Sequence, residues 1–516
     1  MSRARSVWVL TVLCGAVSLV VASITTLYVA GPEIARDVGA SQTELTWMID
    51  IYTLVMAGLL LPAGALGDRF GRRGVMIAGL IIFTAAAAVL QVVDTPTTLI
   101  ATRALLGLGA ALILPSTLSL ITSTFPPDFR DTAVGVWTAA FTLAGVFGGA
   151  LAAILLEFFS WRSAFWSILA GAIVVLAASP SIPSSRDEQP PPMDNWGALA
   201  ALVSVSALVY GFIQAGIDGW TSPTIITALT LGVLAGAGFA AIQLRRAHPL
   251  LDVRLFANRS FAVAAFTVFV AFAAVYGLAF LIIPYQQIVL GDSALAASMP
   301  MSATAVTIIP ITIVARRLTE RIGLRAVVAL SCLLNAAGFG ILCGIGIDGP
   351  VWVLYAATLV IGAGLGLGMV PCTEAILTNV EPAKQGVAAS VNHTTREVGT
   401  SLGVALFGGL LSGSYAASVH DITQALPGPA REASRGSVAG ALQVAQQSGP
   451  RGAELAGQAR HAYVTATQHT SLVMVFIMVA AALIAALWAP PKTPRAVSAT
   501  PVEHDRRHQL TPATNR

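Results

Sequence analysis

The sequence predicts an all-α polytopic membrane protein with fourteen transmembrane helices, grouped six, two and six, and with both termini cytoplasmic. Three observations predict it. Of 516 residues, 56% are hydrophobic and only 10% charged, against about 25% charged in a soluble domain, so the apolar surface needs a bilayer. Apolar runs of the roughly 20 residues that cross about 30 Å of hydrocarbon recur fourteen times. Finally, sixteen basic residues fall in short loops on one side and two, Arg36 and Arg162, on the other. Basic excess marks the cytoplasmic side, and an even span count returns the C-terminus there.

Taken in order, the first run covers about 7 to 30. Arg3 and Arg5 before it resemble the flank of a cleaved signal peptide, but its full-span length and the runs behind it make it the first retained helix. Spans at about 46 to 66, 74 to 93, 98 to 120, 132 to 156 and 161 to 182 complete an N-terminal bundle, residues 1 to 183. Ser184 to Asn195, with Pro190, Pro191 and Pro192, is a linker. Two inserted helices, 196 to 216 and 222 to 243, fill the rest of a segment ending at 258. The C-terminal bundle, 259 to 490, holds spans at about 260 to 288, 294 to 315, 325 to 347, 351 to 378, 386 to 411 and 470 to 489, and a tail, 491 to 516, follows in the cytoplasm. Residues 412 to 469 form a polar segment outside the cell. Its stretches Glu432 to Gln447 and Gly452 to Thr467 have helix-forming composition, so it is either a short hairpin over the outer mouth or a mobile loop. The runs are continuous, without the alternating ten-residue pattern of a barrel.

Composition also excludes function classes. No stripe of Lys and Arg with interleaved aromatics offers a nucleic-acid surface. Cys14, Cys332, Cys343 and Cys372 lie inside apolar runs, at neither metal-ligand nor redox spacings. Neither HExxH nor Gly-x-Ser-x-Gly occurs, so neither an enzyme nor a resident cofactor is expected.

The loop between spans two and three, Gly64 to Arg73, reads GALGDRFGRR. So short a reversal asks for Gly64, Gly67 and Gly71, and Asp68 among Arg69, Arg72 and Arg73 suggests an ion-pair latch made or broken as helices shift. Deeper in the chain, Arg103 lies within span four, where an arginine costs at least about 2.5 kcal/mol unless paired or hydrated. It faces a central cavity or locks helices by bonding backbone carbonyls. Asp50 sits near the outer end of span two, as a cavity acid or a solvated interfacial one. In span thirteen, His393, Arg396 and Glu397 stand at i, i+3 and i+4, so they share a face that must look into a pore or a partner helix. Arg396 either neutralises Glu397 locally or leaves it to titrate. Glu374, in the inner third of span twelve, reads as a cavity acid or a helix-end acid.

These residues resemble the major facilitator superfamily, and within it the fourteen-span drug:proton antiporters. Gly64 to Arg73 is similar to the superfamily loop G-x-L-x-D-x-x-G-R-R at every fixed position. WMIDIYTLVMA, Trp47 to Ala57, and HPLLDVRLFANRSF, His248 to Phe261, resemble segments of the quaternary-ammonium exporters, and ATRALLGLGAALILP, Ala101 to Pro115, the second family motif. The resemblance implies a major facilitator fold, a part for Arg103 in proton coupling, functional acids at Asp50 and Glu397, and a monomer in the cytoplasmic (inner) membrane that exchanges protons for small drug-like compounds. Departures accompany it. Span five has Gly145, Gly148 and Gly149 without the usual Gly-Pro pair, Ser23 stands where relatives carry an acid, and Asn392 and His393 stand where some carry further acids.

A carboxylate in a low-dielectric cavity holds a proton or a cationic drug but poorly both, which couples exchange. The expected function is therefore proton-coupled efflux of lipophilic, mainly cationic compounds by alternating access. Sparse acids and His393 favour the alternative, a narrow exporter of one neutral or anionic antibiotic or metabolite. Among aromatics able to stack on a cation, Tyr52 is the one expected at the site.

Overall fold

The computed structural model describes residues 3–186, 194–247, 249–347, 349–378, 385–424, 426–448 and 452–490. Pro190 to Pro192, Lys384 and the tail 491 to 516 lie outside the described residues. Each apolar run folds as a helix, because a chain in hydrocarbon must satisfy every backbone N–H and C=O internally. The helices are α1 (Arg3–Val38), α2 (Gln42–Phe70), α3 (Arg72–Val89), α4 (Pro96–Thr124), α5 (Pro127–Phe158), α6 (Trp161–Ala178), α7 (Asn195–Asp218), α8 (Pro223–Arg245), α9 (Arg259–Pro284), α10 (Ala294–Leu342), α11 (Trp352–Thr378), α12 (Gln385–Ser418), α13 (His420–Thr423), α14 (Gly428–Gly436), α15 (Val438–Gln447) and α16 (Gly452–Trp488). Among the described residues, twelve are long and apolar enough to cross a membrane. In α5 the apolar stretch is the shorter Leu143–Phe158.

Local chemistry sets the ends. The Ser41 hydroxyl accepts from Glu44 N while Glu44 accepts from Ser41 N, a capping box that starts α2. Between α2 and α3 the reversal takes the single residue Gly71, at φ 102°. α9 ends in a π-helical turn, Tyr285–Leu290, closed by Gly291 in the left-handed region.

Three elements depart from the sequence reading. Helix α10 runs through both the tenth and eleventh expected spans and bends at Gly323, φ 84°, the residue type that tolerates this conformation. The last span is longer than its apolar part, because Gly452 to Thr467 continues directly into it as the first half of α16. Of the two stretches expected to form a hairpin, only the first is separate, as α14 and α15.

Backbone-to-backbone contact at small residues fixes the packing, as membrane helices without a hydrophobic drive between them require. A methyl on Gly107 of α4 would stand 2.4 Å from the Tyr52 carbonyl of α2, and one on Gly399 of α12 would stand 2.4 Å from the Phe269 carbonyl of α9. On α5 the close residue is Gly148, with Ala22 of α1 at 2.7 Å, while Gly145 and Gly149 keep ordinary distances. The inserted helix α7 packs on both halves. Its Phe212 carbonyl abuts Gly409 of α12, and its Leu202 abuts Gly58 of α2. Trp47 of α2 and Tyr210 of α7 lie ring to ring at 6.3 Å.

Candidate functional site

Three helices of the N-terminal half, α1, α2 and α4, assemble around Arg103. The close approach at Gly107 sinks the α4 arginine between its neighbours, so Arg103 is 1% exposed. Its Nε donates to Met48 O at 3.2 Å, and Nη1 donates to Ser23 O at 3.3 Å and to Ser23 Oγ at 3.0 Å. The guanidinium lies over the Tyr52 ring, 4.5 Å from its centroid, and the Tyr52 hydroxyl donates to Val20 O at 3.0 Å. Tyr52 is thus fully buried, with a ring face taken by an internal cation. Of the two sequence alternatives for Arg103, the bonds to carbonyls of neighbouring helices are the one seen here.

Asp50 is eight residues into α2, deeper than its place near the end of the apolar run suggests, because the capping box extends the helix outward. The carboxyl is wholly buried. Thr53 Oγ1 donates to Asp50 Oδ1 at 3.1 Å, and Ser401 of α12 adjoins it from the C-terminal half. The second oxygen, Oδ2, has no hydrogen-bond partner among the described residues.

On α12, Glu397 and His393 are adjacent, with Nε2 4.0 Å from Oε1. Arg396 Nη2 donates to Thr373 Oγ1 at 3.1 Å and its guanidinium covers the Phe272 ring at 5.2 Å, while it stays within electrostatic reach of Glu397. His393, Glu397 and Ser401, at i, i+4 and i+8, form a polar stripe along one face. The stripe meets the N-terminal half at Asp50 and at Phe141, whose ring is edge-on to His393 at 5.7 Å. Glu374 lies apart from this stripe, exposed near the end of α11.

Tyr28 of α1, which sequence reasoning missed, is buried in the same region. It is within electrostatic reach of Arg103, Asp50 and Glu397, and its ring meets Tyr276 of α9 at 5.8 Å. Tyr276 in turn stacks on Phe272 at 6.2 Å. The one sequence signal for Tyr28 was an aromatic one helical turn and a residue from Ser23.

In the charged loop, Gly64, Gly67, Asp68 and Arg69 belong to the last turns of α2. Arg72 binds Asp68 Oδ1 with Nε and Nη2, both at 2.9 Å. The Arg72 N–H donates to Ser185 O at 2.9 Å, and Arg73 Nη1 donates to Ile182 O at 3.0 Å. Arg69 is exposed beside Phe70. The latch is therefore made within the N-terminal half, between the α2–α3 junction and the chain leaving α6.

Residues 13–404 match the profile described as Major Facilitator Superfamily. The chain belongs to the major facilitator superfamily. Among relatives of this superfamily member, the multidrug efflux pump LfrA of Mycolicibacterium smegmatis is 30% identical over 92% of this chain and 95% of its own length. The methyl viologen resistance protein SmvA of Salmonella typhimurium is 33% identical over 85% of this chain and 89% of its own. The puromycin resistance protein pur8 of Streptomyces alboniger is 31% identical over 81% and 84%. In fold, the chain resembles a bacterial homologue of the human lysosomal transporter Spinster, with a TM-score of 0.65 at 17% identity over 95% of this chain and 98% of that one. A multi-pass major facilitator protein, it brings Asp50 and the α12 stripe together where its two halves meet.

Proposed function

We propose that this protein exports lipophilic, mainly cationic compounds across the cytoplasmic membrane in exchange for protons, by rocking its two halves about a midplane site. It acts as a transporter, not an enzyme, and as a monomer with no cofactor beyond the proton gradient. The observation that carries this reading is the pair of buried carboxylates on opposite halves, Asp50 on α2 and Glu397 on α12, neither in an ion pair with an arginine among the described residues. A proton neutralises such a group, and a cationic substrate replaces the proton. Names such as multidrug efflux pump and methyl viologen resistance protein among the relatives support the substrate class.

Fourteen spans follow when α10 is counted as two helices meeting at Gly323 and α5 as one. The N-terminal bundle is then 1 to 183, the inserted pair lies within 184 to 258, and the C-terminal bundle is 259 to 490. The basic loops, including Gly64 to Arg73, face the cytoplasm, and α13 to α15 cap the outer mouth. Asp50 and Glu397 titrate, Arg103 modulates them, and His393, Arg396 and Tyr52 shape their surroundings. Asp68 with Arg69, Arg72 and Arg73, on the Gly64 and Gly71 turn, braces the cytoplasmic gate, and Glu374 lies toward that end. One charge moved across the membrane is worth about 2.3 kcal/mol per 100 mV, so the exchange ratio sets whether voltage helps.

Ethidium efflux from loaded cells tests the reading. Efflux that collapses with a protonophore, and in Asp50→Asn and Glu397→Gln, is the expected result. Undiminished, pH-dependent efflux in both variants would overturn the site, and no efflux beside export of one neutral antibiotic would favour a narrow exporter.

A further inference from the structure

A buried guanidinium needs an opposite charge or a full set of acceptors. Arg103 has neither. Its bonds go to two carbonyls and one neutral hydroxyl, and its Nη2 has no hydrogen-bond partner among the described residues. No carboxylate stands within ion-pair reach of it among those residues. Asp50, whose Oδ2 is itself unpartnered, does not turn to it. A second donor stands within electrostatic reach: the hydroxyl of Tyr28, 4% exposed, also has no hydrogen-bond partner among the described residues. Tyr28 is within electrostatic reach of Arg103, Asp50 and Glu397, and its contact with Tyr276 joins the two halves.

Two donors without an acceptor, one of them cationic, call for an anionic oxygen. Carboxylates suit a guanidinium best, since two oxygens match its forked N–H groups. We propose that Arg103 and Tyr28 form an anion-accepting subsite that takes the carboxylate of a zwitterionic substrate, whose cationic end lies toward Asp50 and Glu397. This rests on the export reading above and adds to its cationic substrates compounds that bear both charges. In the present conformation the subsite is closed, with Arg103 and Tyr28 both buried. Ser23 sets the preference, because an acid at that position would sit where the subsite's anion belongs.

Two dyes with one xanthylium ring test this. Rhodamine 110 carries a free carboxylate, and rhodamine 123 is its methyl ester. Their uptake is followed in inverted membrane vesicles holding the full chain and energised to an acid interior. Wild type is expected to carry both, and Ser23→Asp to lower the ratio of rhodamine 110 to rhodamine 123 transport about tenfold. Ser23→Ala, which adds no charge, should change that ratio less than about threefold. If Ser23→Asp fails to insert, Tyr28→Phe decides, with an expected fall in the ratio of about threefold. An unchanged ratio in the deciding variant overturns the subsite, as does a wild type that carries rhodamine 123 and excludes rhodamine 110. A wild type that carries neither dye overturns the export reading itself, which separates the two failures.

Discussion

Arg36 and Gln287 clasp the two halves from both directions. Arg36 Nη2 donates to the Gln287 carbonyl at 3.3 Å, and the Gln287 side chain donates back to Val29 O on the same helix as Arg36, at 3.0 Å. The π turn at the end of α9 makes this possible, because the extra residue it inserts turns both Gln286 and Gln287 inward. Gln286 Nε2 donates to Ala297 O at 2.8 Å, fixing the turn to α10. Gln443 of α15 then donates to the Arg36 carbonyl at 3.2 Å, so the capping segment holds the same point.

The clasp must break for that end of the seam to open. Gln287→Ala removes one net hydrogen bond, worth about 1 kcal/mol, and should raise the population open at that end roughly fivefold. Spin labels at the exposed positions Thr97 and Val351, in a background without the native cysteines, read the change as a longer distance component. An unaltered distance distribution would mean that the clasp does not set the equilibrium.

At the inserted pair, tight packing gives a stability prediction. A methyl on Gly409 would meet the Phe212 carbonyl at 2.0 Å, whereas one on Gly457 of α16 meets nothing within 4 Å. Gly409→Ala should therefore cost about 1–3 kcal/mol by overpacking, while Gly457→Ala should stabilise by up to about 1 kcal/mol through helix propensity. Melting in detergent should fall for the first and hold or rise for the second. Equal melting would show that α7 is only loosely docked on α12.

Gly71 carries the reversal between α2 and α3 at φ 102° and ψ 119°, a conformation that strains any residue with a Cβ by about 1–3 kcal/mol. Gly71→Ala should lower thermal stability by that order and loosen the Arg72 N–H bond to Ser185. Asp68→Asn, which keeps the helix and weakens only a partly exposed ion pair, should cost at most about 1 kcal/mol. The two are compared by thermal unfolding, and a larger loss in Asp68→Asn would assign the loop's role to its charges.

Apolar length was enough to place the long helices in the sequence, because it acts through the bilayer rather than through tertiary contacts. Ends were not legible where polar chain stays helical. Gly452 to Thr467 has too many polar residues to count as span, yet it forms the first half of α16, and α10 runs through the basic stretch Arg316 to Arg325, bending within it at Gly323. Of the site, Asp50, Arg103, His393 and Glu397 stood out as charges in apolar runs. Tyr28 and Ser401 did not, since their importance comes from helices distant in sequence. For Arg396, spacing left its relation to Glu397 open, because Thr373 of α11 and Phe272 of α9, which its guanidinium also meets, lie on other helices.

Competition between proton and cation at Asp50 and Glu397 gives a sign that can be read without transport. At an effective dielectric of about 20, a cation 4 Å from a carboxylate gains about 4 kcal/mol from its charge, and a proton on that carboxylate forfeits the gain. A bound cation therefore favours the ionised form, and binding must release protons. In weakly buffered detergent solution near neutral pH, adding tetraphenylphosphonium should acidify wild-type protein. Asp50→Asn and Glu397→Gln each remove one releasing group and should each cut the release by about half, and the double variant should abolish it. Release that persists in the double variant would place the exchanged proton elsewhere, with His393, 4.0 Å from Glu397, the next group to replace.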